Sequence, residues 1–216
     1  MIGSMPRQTC STLAAVRGAT TADHESVDRL VDPDRMVDSG YYAAVMGGLI
    51  AAAEVIEATL PLIPSSLWSE GLSPAEVSKR VAIDAESAFL DDLAGSPDVR
   101  RSCPVMRPAP EMQMLASGGS SDATMLGILY VYVGSGLGGL HLLRFVRSAS
   151  WWRHDREDLF LRPYGAQLKQ RWRAVRNALD DLGPDRRGDA VEAARAGFGV
   201  HRRALIAHLQ VRGNDG

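Results

Sequence analysis

Between Ala123 and Leu143 the chain runs for 21 residues without a charge. That is long enough to span a bilayer. The same stretch holds glycines at 127, 134, 136, 138 and 139, and the mean hydropathy of the chain is slightly negative, −0.10. It therefore reads as a helix buried inside a soluble protein, and a helix that is apolar all round needs other helices around it. With 216 residues, 45% of them hydrophobic, the chain can bury one core and is short for two.

The surrounding sequence supplies those helices. Apolar or small groups at Leu13, Val16, Thr20, Val27 and Val31 keep a helical period over 12–31, and Asp32-Pro33-Asp34 stops it. A second helix spans 40–60 and ends at Pro61 and Pro64. Ser73-Pro74-Ala75-Glu76 combines a serine N-cap, a proline at the first position and an early acid, opening a helix towards Leu93. Residues 96–121 carry four prolines and a Gly-Gly-Ser-Ser run, and read as loop. Asp122 caps the charge-free helix, which continues to about Ser148. Amphipathic helices follow over 164–182 and 188–210. No stretch alternates with a period of two. The expected fold is all-α, a single domain of about six helices over 12–210, with flexible ends at 1–11 and 211–216. Gly3-Ser4-Met5 reads as a tag remnant before a native Met5.

Charge is unevenly placed. Residues 1–143 hold 9 basic and 17 acidic groups, and residues 144–216 hold 15 and 9, so a total of −2 hides an acidic two-thirds of −8 and a basic third of +6. The basic part suits nucleic acid, a membrane, an acidic protein or an acidic small molecule, and composition does not choose between them. Only Lys79 and Lys169 are lysines. Cys10 and Cys103 are isolated from each other and from any Cys/His cluster, which points away from disulfides and zinc and towards a reducing cytoplasm. No basic, then apolar, leader is present at the N-terminus.

Two helices carry unusual residues. Arg17, Thr20, His24, Val27 and Asp28 lie on one stripe of the first helix. A histidine in such a stripe is either a packing residue or a ligand, and Asp28 at i+4 is placed to fix its ring as outer-shell partners do. The second is Gly134-Ser135-Gly136-Leu137-Gly138-Gly139. Four helix-interior glycines forgo roughly 2–4 kcal/mol of helix propensity. They allow either close helix packing or the approach of backbone to a planar ligand, with the helix bending over it.

The stretch 127–139 (GILYVYVGSGLGG) resembles the distal-helix signature LYVxEGSxLGG of heme oxygenases, particularly the bacterial type associated with bacteriophytochromes. Residues 13–28 (LAAVRGATTADHESVD), 89–94 (FLDDLA), 169–173 (KQRWR) and 193–198 (AARAGF) resemble further family segments in the same order. The resemblance spans about 12–210. It implies a heme-oxygenase-like bundle with heme between the N-terminal, proximal helix and a glycine-kinked distal helix. By position, His24 is the expected iron ligand and Asp28 the carboxylate that holds it. Arg17, Lys169 and Arg173 are the expected propionate partners, and Tyr130 the tyrosine that meets the heme. Gly134, Gly138 and Gly139 match the kinked distal backbone. Ser135 stands where animal-type enzymes carry an aspartate and the bacteriophytochrome-associated group commonly has serine. Val133 replaces the usual glutamate and Gly136 a larger residue, and both departures bear on the distal hydrogen-bond network.

The activity this implies is cleavage of heme b, both cofactor and substrate, to biliverdin, CO and ferrous iron. It consumes O2 and electrons from outside, since no flavin or nicotinamide motif is visible. Implied partners are a ferredoxin or other reductase, docking on arginines 144, 147, 153, 156, 202 and 203, and a biliverdin-accepting phytochrome; neither nucleic acid nor a membrane is expected. Alternatives are a heme-binding, trafficking or sensor protein without turnover, a di-iron oxidase built on Glu54 and Glu57, and a non-catalytic helical interaction module. Surface or packing roles are expected for His141 and His154, and His201 and His208 share a face of the last helix without a third ligand.

Overall fold

The computed structural model describes residues 11–68, 71–94, 121–152 and 160–213. Its α-helices are α1 (Thr12–Ala19), α2 (Thr21–Asp28), α3 (Ser39–Glu57), α4 (Pro74–Val77), α5 (Arg80–Ala94), α6 (Asp122–Val146), α7 (Leu168–Asp180) and α8 (Arg187–Gly213), and the described residues contain no strand. The all-α expectation holds. Of the predicted flexible ends, 1–10 and 214–216 lie outside the described residues. Ser11 belongs to the helical body, where its hydroxyl accepts from the Ala14 N–H at 3.2 Å. The loop predicted over 96–121 lies outside them as well, except for Ser121.

Two predicted helices are each divided. The first breaks at Thr20, because adjacent threonines turn their hydroxyls onto the preceding turn. Thr20 Oγ1 donates to the Val16 carbonyl at 2.8 Å and Thr21 Oγ1 to the Arg17 carbonyl at 2.9 Å. Arg195 of α8 occupies the break, donating to the Ala19 carbonyl and lying 3.7 Å from Asp23. The second opens as expected, with the Ser73 N–H donating to Glu76 at 3.1 Å, yet α4 makes one turn only. Ser78 is extended (φ −60°, ψ 139°), which turns Lys79 inwards, and the Glu57 carboxylate accepts from Ser78 Oγ and the Lys79 N–H.

The charge-free helix α6 is unbroken through its glycines and ends at Val146, close to prediction. Its cap is Ser121 rather than Asp122: the Ser121 hydroxyl accepts from the Thr124 N–H at 3.2 Å. Both α6 and the segment Ser39–Leu62 are long and apolar enough to cross a membrane, and about half of each is buried. α8 packs on both α3 and α6. The contact is close because it is made through small residues: a Cβ on Gly48 would lie 2.9 Å from Leu205 Cα, and one on Gly127 would overlap the Ala190 carbonyl oxygen. Tyr42, Met46, Ile56, Met125, Leu126, Tyr132, Val200 and Leu205 fill the core between them.

Candidate functional site

The division of the N-terminal helix matters here, because α2 and the turn after it form one wall of a cavity of about 570 Å³. His24, Val27, Asp28, Val31 and Pro33 line that wall. α6 contributes Tyr130, Val131, Gly134, Ser135, Leu137, Gly138, Gly139, His141 and Leu142; α8 contributes Phe198, His201 and Leu205. Leu49 of α3 and Trp172 of α7 complete it. The walls are mostly apolar, and the volume is that of a small-molecule or cofactor pocket.

His24 Nδ1 lies 2.9 Å from Asp28 Oδ2. Ring orientation is also set from α8, where Phe198 meets the imidazole edge-on with centroids 5.5 Å apart. With Nδ1–H donated to the carboxylate, Nε2 keeps its lone pair for a metal. Along α6, Tyr130, Gly134, Gly138 and His141 follow one another at intervals of four, four and three residues, one helical stripe turned to the cavity. A Cβ at Gly138 would meet nothing within 4 Å, whereas one at Gly134 would lie 3.3 Å from the Trp172 ring.

No family model matches the sequence, and no curated protein matches it. Solved structures do match. The heme oxygenase from Leptospira interrogans superposes with a TM-score of 0.66 at 16% identity, covering 90% of this chain and 98% of its own. Heme oxygenase-1 from the cyanobacterium Synechocystis sp. PCC6803, in complex with heme, gives 0.68 at 13%, covering 94% and 93%. Heme oxygenase 2 from Chlamydomonas reinhardtii, without heme, gives 0.68 at 15%, covering 91% and 97%. The fold is that of the heme oxygenases.

On this heme oxygenase fold the glycine run divides its labour. Gly134 and Gly138 open towards the cavity. Gly136 faces Leu168, and a Cβ on Gly139, though Gly139 also borders the cavity, would lie 2.6 Å from the Leu161 carbonyl oxygen. Close packing thus accounts for Gly136 and Gly139, while Gly134 and Gly138 border the cavity. The departures at Val133 and Gly136 sit away from the cavity lining: Val133 is fully buried in the core, and Gly136 serves packing.

Ser135 borders the cavity, yet its hydroxyl donates to the Tyr132 carbonyl at 2.8 Å and accepts from Lys79 Nζ at 2.7 Å. Tyr130 faces the cavity and packs at a tilt against Trp172, with ring centroids 5.3 Å apart; burial pushes its phenol up, opposed by a Thr20 hydrogen bond and the Arg17 charge. Tyr132 points the other way, to Glu57. Arg17, Lys169 and Arg173 are exposed, the last two one turn apart on α7 on either side of Trp172. Among the described residues no cluster of acids and histidines forms a metal site, and Glu57 is engaged by Tyr132, Ser78 and Lys79. His154, Arg153 and Arg156 lie outside the described residues.

Two histidines expected in surface, packing or unassigned roles line the site. His141 borders the cavity, beside Arg144. His201 is 5% exposed and lines the interior. His201 Nδ1 lies 2.9 Å from the Gly197 carbonyl, so its N–H donates there. Burial pushes this imidazole down to about 4, the Gly197 bond opposing and the Lys79 charge assisting. His201 is thus folded as a neutral ring. A depressed value leaves stability intact above the unfolded value of about 6.5 and removes it as pH falls towards 4, by up to about 3 kcal/mol. Urea unfolding between pH 7 and pH 4 is expected to show that loss in the wild type and a clearly smaller one in His201→Gln.

Proposed function

We propose that this protein is a heme oxygenase, cleaving heme b to biliverdin, CO and ferrous iron with O2 and externally supplied electrons. One observation carries the reading: the His24–Asp28 pair, 2.9 Å apart, borders the same cavity as the Gly134–Gly139 backbone of α6. The residues present fit a flat iron porphyrin. They offer the Nε2 lone pair of His24, whose ring is held by the Asp28 carboxylate, apolar walls, and a helix whose cavity stripe is stripped of side chains at positions 134 and 138.

His24 Nε2 would hold the iron, and Asp28 would fix the tautomer and raise the basicity of the ring. Arg17, Lys169 and Arg173 would take the propionates through charge-assisted hydrogen bonds, setting the rotation of the ring in its pocket. Val27, Val31, Leu49, Leu142 and Leu205 would exclude bulk water from its faces. When bound, heme supplies the iron at which O2 is activated and the macrocycle that is opened. Gly134 and Gly138 leave that stretch of α6 free of side chains, and His141, one turn on along the same stripe, is the imidazole that α6 brings to the cavity. A ferredoxin or other reductase would dock at exposed arginines such as 144, 147, 202 and 203, and a phytochrome would accept the bilin, all in the cytoplasm.

The decisive experiment is to titrate the protein with ferric heme, then add reductant and air. A stoichiometric Soret band that gives way to biliverdin absorption is the expected result. A stable Soret band under turnover conditions would favour the heme-binding alternative instead, and absence of a stoichiometric complex would remove both.

A further inference from the structure

Lys79 is 4% exposed, and its ammonium reaches the distal helix from the turn between α4 and α5. Nζ donates to the Tyr132 carbonyl at 2.6 Å and to Ser135 Oγ at 2.7 Å, and sits 4.2 Å from the centre of the Tyr132 ring. Burying a lysine is costly, and these hydrogen bonds together with the Glu57 charge offset only part of that cost. Of the two residues it bonds, Ser135 lines the cavity and Tyr132 does not. We propose that Lys79 is the proton source for the cavity, acting through the Ser135 hydroxyl.

The hydrogen bonds already present define the steps. At rest the Ser135 hydroxyl donates to the Tyr132 carbonyl. Rotation about Cβ–Oγ redirects it into the cavity, and the carbonyl stays satisfied because Lys79 still donates to it. One Nζ–H bond of Lys79 then breaks as a new O–H bond forms on Ser135 Oγ. The original Ser135 O–H bond breaks as its proton passes to a basic oxygen of the bound ligand. Serine is neutral before and after, lysine goes from ammonium to amine, no electrons move, and bulk water returns the proton to Lys79. The inference rests on the heme oxygenase reading only for the identity of that acceptor.

The groups facing Lys79 leave this role to it. Burial holds the Tyr132 and Tyr164 phenols protonated, and His201 is held unprotonated. Glu57 of α3 supplies the attractive charge. Burial brings Lys79 itself down to about 7, with Glu57 opposing, so both of its forms exist at neutral pH. Of the groups lining the cavity, Asp28 is committed to His24, and the Ser135 hydroxyl is the one connected to an interior cation.

Because the chain has only two lysines, protein labelled with [15N]lysine gives two Nζ resonances, and Lys79→Met assigns them. In the heme-free protein the Lys79 signal is expected to titrate near neutrality, and Ser135→Ala is expected to shift it. In the heme-loaded protein, Lys79→Met and Ser135→Ala are expected to bind heme within about twofold of wild type. Both should slow its consumption by about 100-fold, the scale of general acid catalysis, and lose the wild-type rate change around pH 7. Ser135→Ala leaves Lys79 bonded to the Tyr132 carbonyl, so it decides the matter if Lys79→Met does not fold. A Lys79 signal titrating near 10 and indifferent to Ser135→Ala, or variants with wild-type rates and pH profile, would overturn the relay. A wild-type protein that leaves heme intact would overturn the enzyme reading instead, and the heme-free titration would still decide whether Lys79 is coupled to Ser135.

Discussion

Replacing His24 with alanine is expected to leave the fold intact and to remove the imidazole-ligated Soret spectrum of the heme complex. The side chain is 58% exposed, and its contacts are Asp28 on its own helix and the edge of Phe198, so little packing is lost. Exposed substitutions of this kind change stability by about 0.5 kcal/mol or less. The loss at the iron is of another order. Without the His24 imidazole, turnover should fall at least about 100-fold, and added free imidazole should restore part of both spectrum and rate by entering the space vacated. Asp28→Asn tests the pair from the other side. An amide oxygen still accepts from Nδ1 but carries no charge, so the ligand is kept while its basicity drops, and an effect of about 10-fold is expected. Absorption spectra and single-turnover rates check both variants. A Soret band unchanged in His24→Ala would overturn the ligand assignment.

Why the proximal side was legible while part of the distal side was not follows from sequence distance. His24 and Asp28 are four residues apart on α2, so helical spacing alone pairs them, whereas Arg17, expected on the same stripe, lies on α1 beyond the break at Thr20 and outside the cavity lining. The break at Thr20 escaped that reading because it arises from two hydroxyls that compete for carbonyls of the preceding turn, which apolar periodicity does not register. His201 was within reach: it lies three residues after Phe198, and therefore on the same face of α8, which meets the cavity. Lys79 was not. Its partners Tyr132 and Ser135 are more than fifty residues away across a segment of irregular sequence, and no local pattern reports a contact of that span. The one-turn length of α4 has the same origin, since Ser78 and Lys79 leave helical geometry to reach Glu57 and α6.

The glycines of α6 give the second large effect, and they separate stability from function within one helix. A methyl group at Gly127 would overlap the Ala190 carbonyl oxygen and crowd Ala193 Cβ at 2.8 Å. Both obstacles belong to α8 and neither is the flexible end of a side chain, so α6 and α8 must move apart along the largest interface of the core. Gly127→Ala is therefore expected to destabilise the protein by about 3 kcal/mol or more, at the upper end for overpacking, despite alanine's better helix propensity. Gly138 is the reverse case. Its Cβ position is empty for 4 Å, so Gly138→Ala should stabilise the heme-free protein by about 0.5–1 kcal/mol through reduced unfolded-state entropy. Gly138→Leu should likewise fold, but its side chain would project into the space reserved for the ligand. Heme affinity is then expected to fall by at least about 100-fold while the melting temperature of the heme-free protein stays near wild type. Thermal unfolding without heme, paired with heme titration, reads the two quantities apart. If Gly138→Leu bound heme as the wild type does, the stripe of Tyr130, Gly134, Gly138 and His141 would not be the face that receives the ring. If Gly127→Ala proved neutral, the close approach of α6 to α8 would not be what holds that stripe in place.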